Sequence, residues 1–216
     1  MKYSQSICAI DVFKSNLIIN ELVKNGMTNI HIDFMDGHYV DNFGFTFENS
    51  KLLIDKYPNI DFDAHLMIKN PLKYLNKIIS IGFKTIFLPV DEIKEDEYFE
   101  VAKKFPNINF GIMLKANDSP ENYKNIIINS KVILLMTINK IGTTGELFNE
   151  NLLIKIKKIK LLNSDIKIFS DGGLRVENVA ILKNNNIDVV VGGSIIFSFS
   201  SEKEFMTWWK KNNDNS

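Results

Sequence analysis

Eight short apolar, β-branched runs alternate with longer stretches of helical spacing along this chain, and that alternation restricts the fold more than any other feature. The runs are residues 6–10, 29–33, 62–67, 85–89, 110–114, 132–138, 166–171 and 188–193. Between them apolar side chains recur three and four apart, as at Leu17, Ile18, Leu22 and Val23, or Leu152, Leu153, Ile156 and Ile159. Lys155, Lys157, Lys158 and Lys160 decorate the second of these stretches and read as a solvated helix face. Strands separated by helices return by crossovers, so they build a parallel sheet. Eight such units in 216 residues fit one compact α/β domain, a (β/α)8 TIM barrel over residues 1–211, with 212–216 as a disordered polar tail. A doubly wound open sheet is the competing architecture. Neither a Gly-x-Gly-x-x-Gly after the first run nor a P-loop pattern occurs, so both nucleotide fingerprints are absent.

Bulk properties exclude some partners. Lys plus Arg and Asp plus Glu both number 26, so no net charge favours nucleic acid or an anionic membrane. Cys8 is the only cysteine, which rules out an intrachain disulfide and a cysteine-built zinc site and fits a reducing compartment. No 18-residue apolar stretch is present, and Asp11 interrupts the first apolar run, so neither a membrane span nor a secretory signal is expected. These features predict a soluble, cytoplasmic protein.

The chemistry concentrates at the ends of the predicted strands. In His31-Ile32-Asp33-Phe34-Met35-Asp36-Gly37-His38, residues His31 and Asp33 are two apart on a strand and point to the same face. Asp63-Ala64-His65-Leu66-Met67 and Phe169-Ser170-Asp171-Gly172-Gly173 end two further runs. In a barrel the C-terminal strand ends converge on one face, so His31, Asp33, His65 and Asp171 can surround one ion. Two imidazoles and two carboxylates suit zinc, iron(II), manganese or cobalt better than calcium or magnesium. Such an ion polarises a carbonyl and its neighbouring hydroxyl, stabilising an enediolate made by proton abstraction. Two carboxylates on opposite sides of that flat species, Asp33 and Asp171, can remove a proton from one face and return one to the other. This inverts a stereocentre without an organic cofactor.

Three glycine-bearing segments are candidates for anion binding. Gly192-Gly193-Ser194 precedes a predicted short helix at Ile195-Ile196-Phe197, and loops after strands seven and eight of barrels often hold phosphate. Gly172-Gly173 allows close backbone approach, and Lys140-Ile141-Gly142-Thr143-Thr144-Gly145 suits a flexible cover or phosphate clamp. Met35, Met67 and Met136 either pack the barrel or shield a reactive intermediate from water. Two other classes remain open from the residues alone: a metal-free phosphate-binding lyase or decarboxylase, and a non-catalytic sugar-phosphate-binding barrel.

Taken together, these residues resemble the ribulose-phosphate 3-epimerase family from Ser6 to Trp209. His31-x-Asp33-x-Met35-Asp36-Gly37-His38-x-Val40-x-Asn42 is similar to the family signature after strand two. Asp63-x-His65-Leu66-Met67, Asp171-Gly172-Gly173 and Gly193-Ser194-x-Ile196-Phe197 match later motifs in order and spacing. The resemblance implies a barrel of the ribulose-phosphate-binding type that interconverts D-ribulose 5-phosphate and D-xylulose 5-phosphate with one divalent metal ion, zinc or iron(II) foremost. It implies metal ligation by His31, Asp33, His65 and Asp171, with Asp33 and Asp171 also the acid/base pair at carbon 3. By the same carry-over Ser6 hydrogen-bonds the substrate, and Met35, Met67 and Met136 form a sulfur-lined roof. Gly172, Gly173, Gly193 and Ser194 bind substrate and its phosphate, and His65, Ile141, Gly142, Thr143 and Thr144 are further candidates for substrate binding. A homo-oligomer is also implied.

Departures from the family pattern bear on the substrate. The family's Pro-Ser-Ile-Leu-Ser-Ala-Asp is here Gln5-Ser6-Ile7-Cys8-Ala9-Ile10-Asp11. Its strand-six loop, Asn-Pro-Gly-Phe-Gly-Gly-Gln, is here Asn139-Lys140-Ile141-Gly142-Thr143-Thr144-Gly145, where Lys140 either meets an anion or points to solvent. Pro89-Val90-Asp91 lacks the His often found after strand four. The changed loop leaves D-allulose 6-phosphate or a surface-polysaccharide sugar as alternatives to D-ribulose 5-phosphate.

Overall fold

In the computed structural model residues 1–213 are described, and the part of the expected tail at 214–216 lies outside the described residues. Eight strands, β1 (Lys2–Ser6), β2 (Asn29–Met35), β3 (Asp61–Met67), β4 (Thr85–Pro89), β5 (Asn109–Leu114), β6 (Val132–Met136), β7 (Lys167–Asp171) and β8 (Val189–Gly192), pair in parallel in sequence order. β8 pairs back onto β1, which closes the barrel and leaves no sheet edge, so the open-sheet alternative is excluded. The helices that follow the strands are α1 (Ser15–Lys24), α2 (Phe47–Lys56), α3 (Leu75–Ile81), α4 (Glu95–Lys104), α5 (Lys124–Asn129), α6 (Ile154–Leu162), α7 (Val179–Asn184) and α8 (Glu202–Asn213). Helix α8 carries Asn212 and Asn213, the first residues of the expected tail.

Strand alternation divides the apolar residues into two clusters. On β6, Ile133 and Leu135 join the large cluster shared with the helices, whereas Val132, Leu134 and Met136 join a smaller one with Met67, Phe87, Met113 and Phe169. The smaller cluster fills the barrel interior, where successive strands contribute every second side chain. Local signals set the helix starts. The Thr46 hydroxyl accepts a hydrogen bond from the Asn49 amide at 3.1 Å, and α4 opens on Glu95, Asp96 and Glu97 and closes on Lys103 and Lys104, matching the helix dipole at both ends.

Two sequence expectations need correction. The first strand is not residues 6–10: it is Lys2–Ser6, and Ile7–Ala9 form a 3-10 turn. Lys-Tyr-Ser-Gln-Ser lacks an apolar run because its polar groups are satisfied inside. The Tyr3 hydroxyl donates to Gln5 Oε1 at 2.6 Å, while its ring packs edge-on against Phe205. Ser4 is fully buried and its hydroxyl reaches Asp63 Oδ2 at 3.4 Å. Nor is the lysine face of α6 wholly solvated. Lys155 is buried, and its ammonium donates to the carbonyls of Lys115 and Ala116, at 2.6 and 2.7 Å, just beyond β5. The long apolar stem lies on protein while the charge finds oxygen partners.

Candidate metal centre and active-site cavity

β2 and β3 pair so that His31 stands opposite Asp63, Asp33 opposite His65, and Met35 opposite Met67. Their inward-facing residues therefore stack in three layers up the barrel axis: a His–Asp pair, an Asp–His pair, and a pair of thioethers. Asp171 closes the second layer from β7, where its strand partner is Met136 of β6. The intervening residues Ile30, Ile32, Phe34, Ala64 and Leu66 point outward into the helix-facing core and lock this register.

One donor atom from each of His31, Asp33, His65 and Asp171 comes within 4.8 Å of all the others. His31 Nε2 lies 3.2 Å from Asp33 Oδ1, 3.4 Å from His65 Nδ1 and 3.8 Å from Asp171 Oδ2. His65 Nδ1 lies 3.1 Å from Asp33 Oδ1 and 3.5 Å from Asp171 Oδ2. A tetrahedral ion bound through nitrogen and oxygen at about 2.0–2.1 Å has ligand–ligand edges of about 3.3–3.4 Å. The donor set thus fits a four-coordinate divalent cation.

Neighbours that the sequence reading did not single out fix how the imidazoles present themselves. Asp63, 3% exposed, bonds His31 Nδ1 through Oδ1. Met113 Sδ lies 2.8 Å from His65 Nε2. A neutral imidazole carries one N–H. Placing that proton on Nδ1 of His31 and on Nε2 of His65 leaves His31 Nε2 and His65 Nδ1 as the lone pairs turned to the centre. Burial works against charge on His31, yet Asp63 and Asp33 outweigh it and hold its pKa well above the ordinary value. Burial likewise opposes a charged Asp33, but His31 and His65 keep its carboxyl far below the usual range. Three carboxylates thus draw positive charge into a buried centre, and a divalent ion satisfies the same pull. Asp63→Asn removes the anion behind His31 and is expected to weaken metal binding about 10- to 100-fold, measured by competition with a chromophoric chelator. Unchanged affinity would show that Asp63 does not orient His31.

Above the centre lies a cavity of about 360 Å³. Both carboxylates, Asp33 and Asp171, line it, with Ser6, Met35, Met67, Met136, Gly142, Thr143, Thr144, Gly172, Gly173, Gly193 and Ser194. The imidazoles do not: His31 and His65 are fully buried beneath. Ile141 also stays off the cavity, packing instead with Tyr39 and Val40 against the interior cluster. Lys140 is exposed and His38 is exposed, so neither belongs to the donor set or the lining. Asp36 anchors the loop after β2, accepting from the amides of His38, Tyr39 and Lys69 at 2.8–2.9 Å.

The ends of β1 and β8 and the loops after β2, β6 and β7 shape the walls. The Ser6 hydroxyl donates to Asp33 Oδ2 at 2.9 Å, steadying the carboxylate from β1. Asn42 Nδ2 donates to the Gly142 carbonyl at 3.0 Å, tying the loop after β6 across to the loop after β2. After β7, Gly172 and Gly173 have φ of 107° and 74°, and a Cβ at Gly173 would lie 2.6 Å from the Phe148 backbone, so glycine alone fits there. Thr137 holds this turn, its hydroxyl donating to the Gly172 carbonyl at 2.7 Å. At Gly193 a Cβ would meet the Ala9 side chain at 2.1 Å, which brings the β8 and β1 ends into contact.

Solved structures share the barrel. Phosphoribosyl anthranilate isomerase from Thermus thermophilus superposes with a TM-score of 0.71 at 12% identity, over 99% of this chain and 100% of that one. 3-Hexulose-6-phosphate synthase from Salmonella typhimurium gives 0.70 at 13%, over 96% and 95%. Sequence relatives are more specific. A ribulose-phosphate 3-epimerase of Aquifex aeolicus is 29% identical over 183 residues, covering 83% of this chain and 82% of its own length. One of Bacillus subtilis is 25% identical over 212 residues, covering 94% and 95%. The pattern of the Ribulose-phosphate 3 epimerase family matches residues 2–197, which takes in all eight strands and every donor of the centre, and the chain therefore belongs to that family of carbohydrate isomerases.

Proposed function

We propose that the protein is a metal-dependent 3-epimerase of a ketose phosphate, with D-ribulose 5-phosphate and D-xylulose 5-phosphate as its pair of substrates. The observation that carries this reading is the division of labour in the centre: four donors within 4.8 Å of one another, of which only the two carboxylates line the cavity. His31, Asp33, His65 and Asp171 would hold the ion, and a divalent cation there supplies positive charge to substrate oxygens as the proton beside the carbonyl is lost. Zinc or iron(II) suits this nitrogen and oxygen set, with manganese or cobalt as substitutes.

The residues of the chain perform the proton transfers. Asp33 and Asp171 rise from β2 and β7, on different sides of the barrel wall, and serve as base and acid on the two faces of carbon 3. The Ser6 hydroxyl on Asp33 Oδ2 keeps that carboxylate aimed while Oδ1 faces the imidazoles. Met35, Met67 and Met136 keep water from the flat intermediate, so the proton delivered comes from the carboxylate. Gly172, Gly173, Gly193 and Ser194 offer backbone amides and close approach to the phosphate end, and Gly142, Thr143 and Thr144 cover the substrate. A cavity of this size accommodates a small sugar phosphate.

Among the described residues no helix is long and apolar enough to cross a membrane, and a rice relative, 23% identical, is named a cytoplasmic isoform. We place the reaction in the cytoplasm. Association with further copies of the chain belongs to the same reading. The decisive experiment incubates the metal-loaded protein with D-ribulose 5-phosphate in deuterated water and follows carbon 3 by NMR. Deuterium at carbon 3 together with D-xylulose 5-phosphate is the expected result. No exchange, from folded and metal-bound protein, would assign the altered loop at 139–145 to another sugar such as D-allulose 6-phosphate.

A further inference from the structure

We infer that Arg175 binds the phosphate of the substrate and sets the preference for phosphorylated over free sugars, an inference that rests on the sugar-phosphate reading above. Arg175 is the one arginine among the 26 Lys and Arg residues. Among the described residues it is also the one cationic side chain lining the cavity, where Asp33, Asp171 and Glu146 are the carboxylates. A divalent ion offsets the two aspartates at the base. Glu146 adds a further negative charge to the cavity, and a phosphate dianion entering it needs a positive partner.

The position fits that partner. Arg175 follows Gly172, Gly173 and Leu174 on the loop after β7 and lines the same cavity as Gly193 and Ser194. Its backbone is held from behind: buried Asn178 accepts from the Arg175 amide through Oδ1 at 3.0 Å and donates to the Gly173 carbonyl through Nδ2 at 2.8 Å. The guanidinium donates from Nη1 to the Leu174 carbonyl at 2.7 Å. Among the described residues no carboxylate forms an ion pair with it. One of its five N–H groups is therefore used, and the rest remain for an anion. A planar fork on a braced loop is the geometry that takes two phosphate oxygens at once, which a lysine ammonium does not reproduce.

Arg175→Met and Arg175→Lys test this. The ratio of kcat/KM for D-ribulose 5-phosphate to that for D-ribulose should fall about 10- to 100-fold in Arg175→Met, carried by KM, with Arg175→Lys between. Inorganic phosphate, titrated by calorimetry into the metal-loaded protein, should bind Arg175→Met more weakly by a similar factor. An unchanged ratio and unchanged phosphate affinity, in variants with native circular dichroism, would overturn the inference while wild-type epimerisation upholds the reading beneath it. Should the wild type epimerise no ketose phosphate, that reading fails, and the phosphate titration still decides whether Arg175 holds the anion.

Discussion

Replacing Asp171 with Asn is expected to lower kcat for epimerisation about 10³-fold, within the span that positioned acid–base groups contribute. The amide keeps the shape and a ligating oxygen but cannot carry a proton between substrate and solvent at neutral pH. The fold should survive. The contacts that hold this strand end use the Asp171 backbone carbonyl, which accepts from the Thr137 amide at 2.8 Å and its hydroxyl at 3.0 Å. Asp33→Asn should be equally inactive, since one carboxylate serves each face. Exchange in deuterated water distinguishes the two. Each variant should still wash the carbon 3 proton from one epimer only, through its surviving carboxylate, without forming the other. Metal content measured on the same samples separates lost proton transfer from lost metal. Substantial epimerisation by either variant would remove that residue from the acid–base pair.

Stripping the metal is expected to abolish activity, and zinc, iron(II), manganese or cobalt should each restore it to a different degree. The same treatment should lower thermal stability. The donors sit on β2, β3 and β7, so the unfolded chain cannot assemble them and the ion binds the native state alone. Free metal at 100 times its Kd stabilises the native state by about 2.7 kcal/mol. For a chain of this length that corresponds to a fall of about 5–10 °C in Tm on removal. Calorimetry with and without chelator, alongside elemental analysis, reads both effects. Full activity in protein verified as metal-free would overturn the metal-dependent reading.

Much of the candidate site was legible in the chain because its signals are local. His31-x-Asp33-x-Met35 puts three side chains on one face whatever the sheet around it, and the same holds for Asp63-x-His65-x-Met67. What escaped was written in partners rather than in spacing. Asp63 has no role in the motif Asp63-x-His65 until register sets it opposite His31. Met113 reads as one more apolar residue of β5, yet its sulfur meets His65. β1 went unread because Tyr3, Ser4 and Gln5 find their hydrogen bonds inside the protein, which no hydrophobic pattern records. Lys155 looked solvated for the converse reason, since the carbonyls that receive it lie 39 and 40 residues away.

The sequence by itself determined the alternation of strands with helices from β2 onward, the shared face of His31 and Asp33, and the four residues able to hold an ion. These follow from backbone periodicity and side-chain chemistry, both short-ranged. Only the tertiary structure decided that the sheet closes, that carboxylates rather than imidazoles face the cavity, and that Arg175 lines that cavity with Gly193 and Ser194. Those facts depend on register between strands and on loops meeting across the barrel, and they exist only once burial of the two apolar clusters has brought distant segments together.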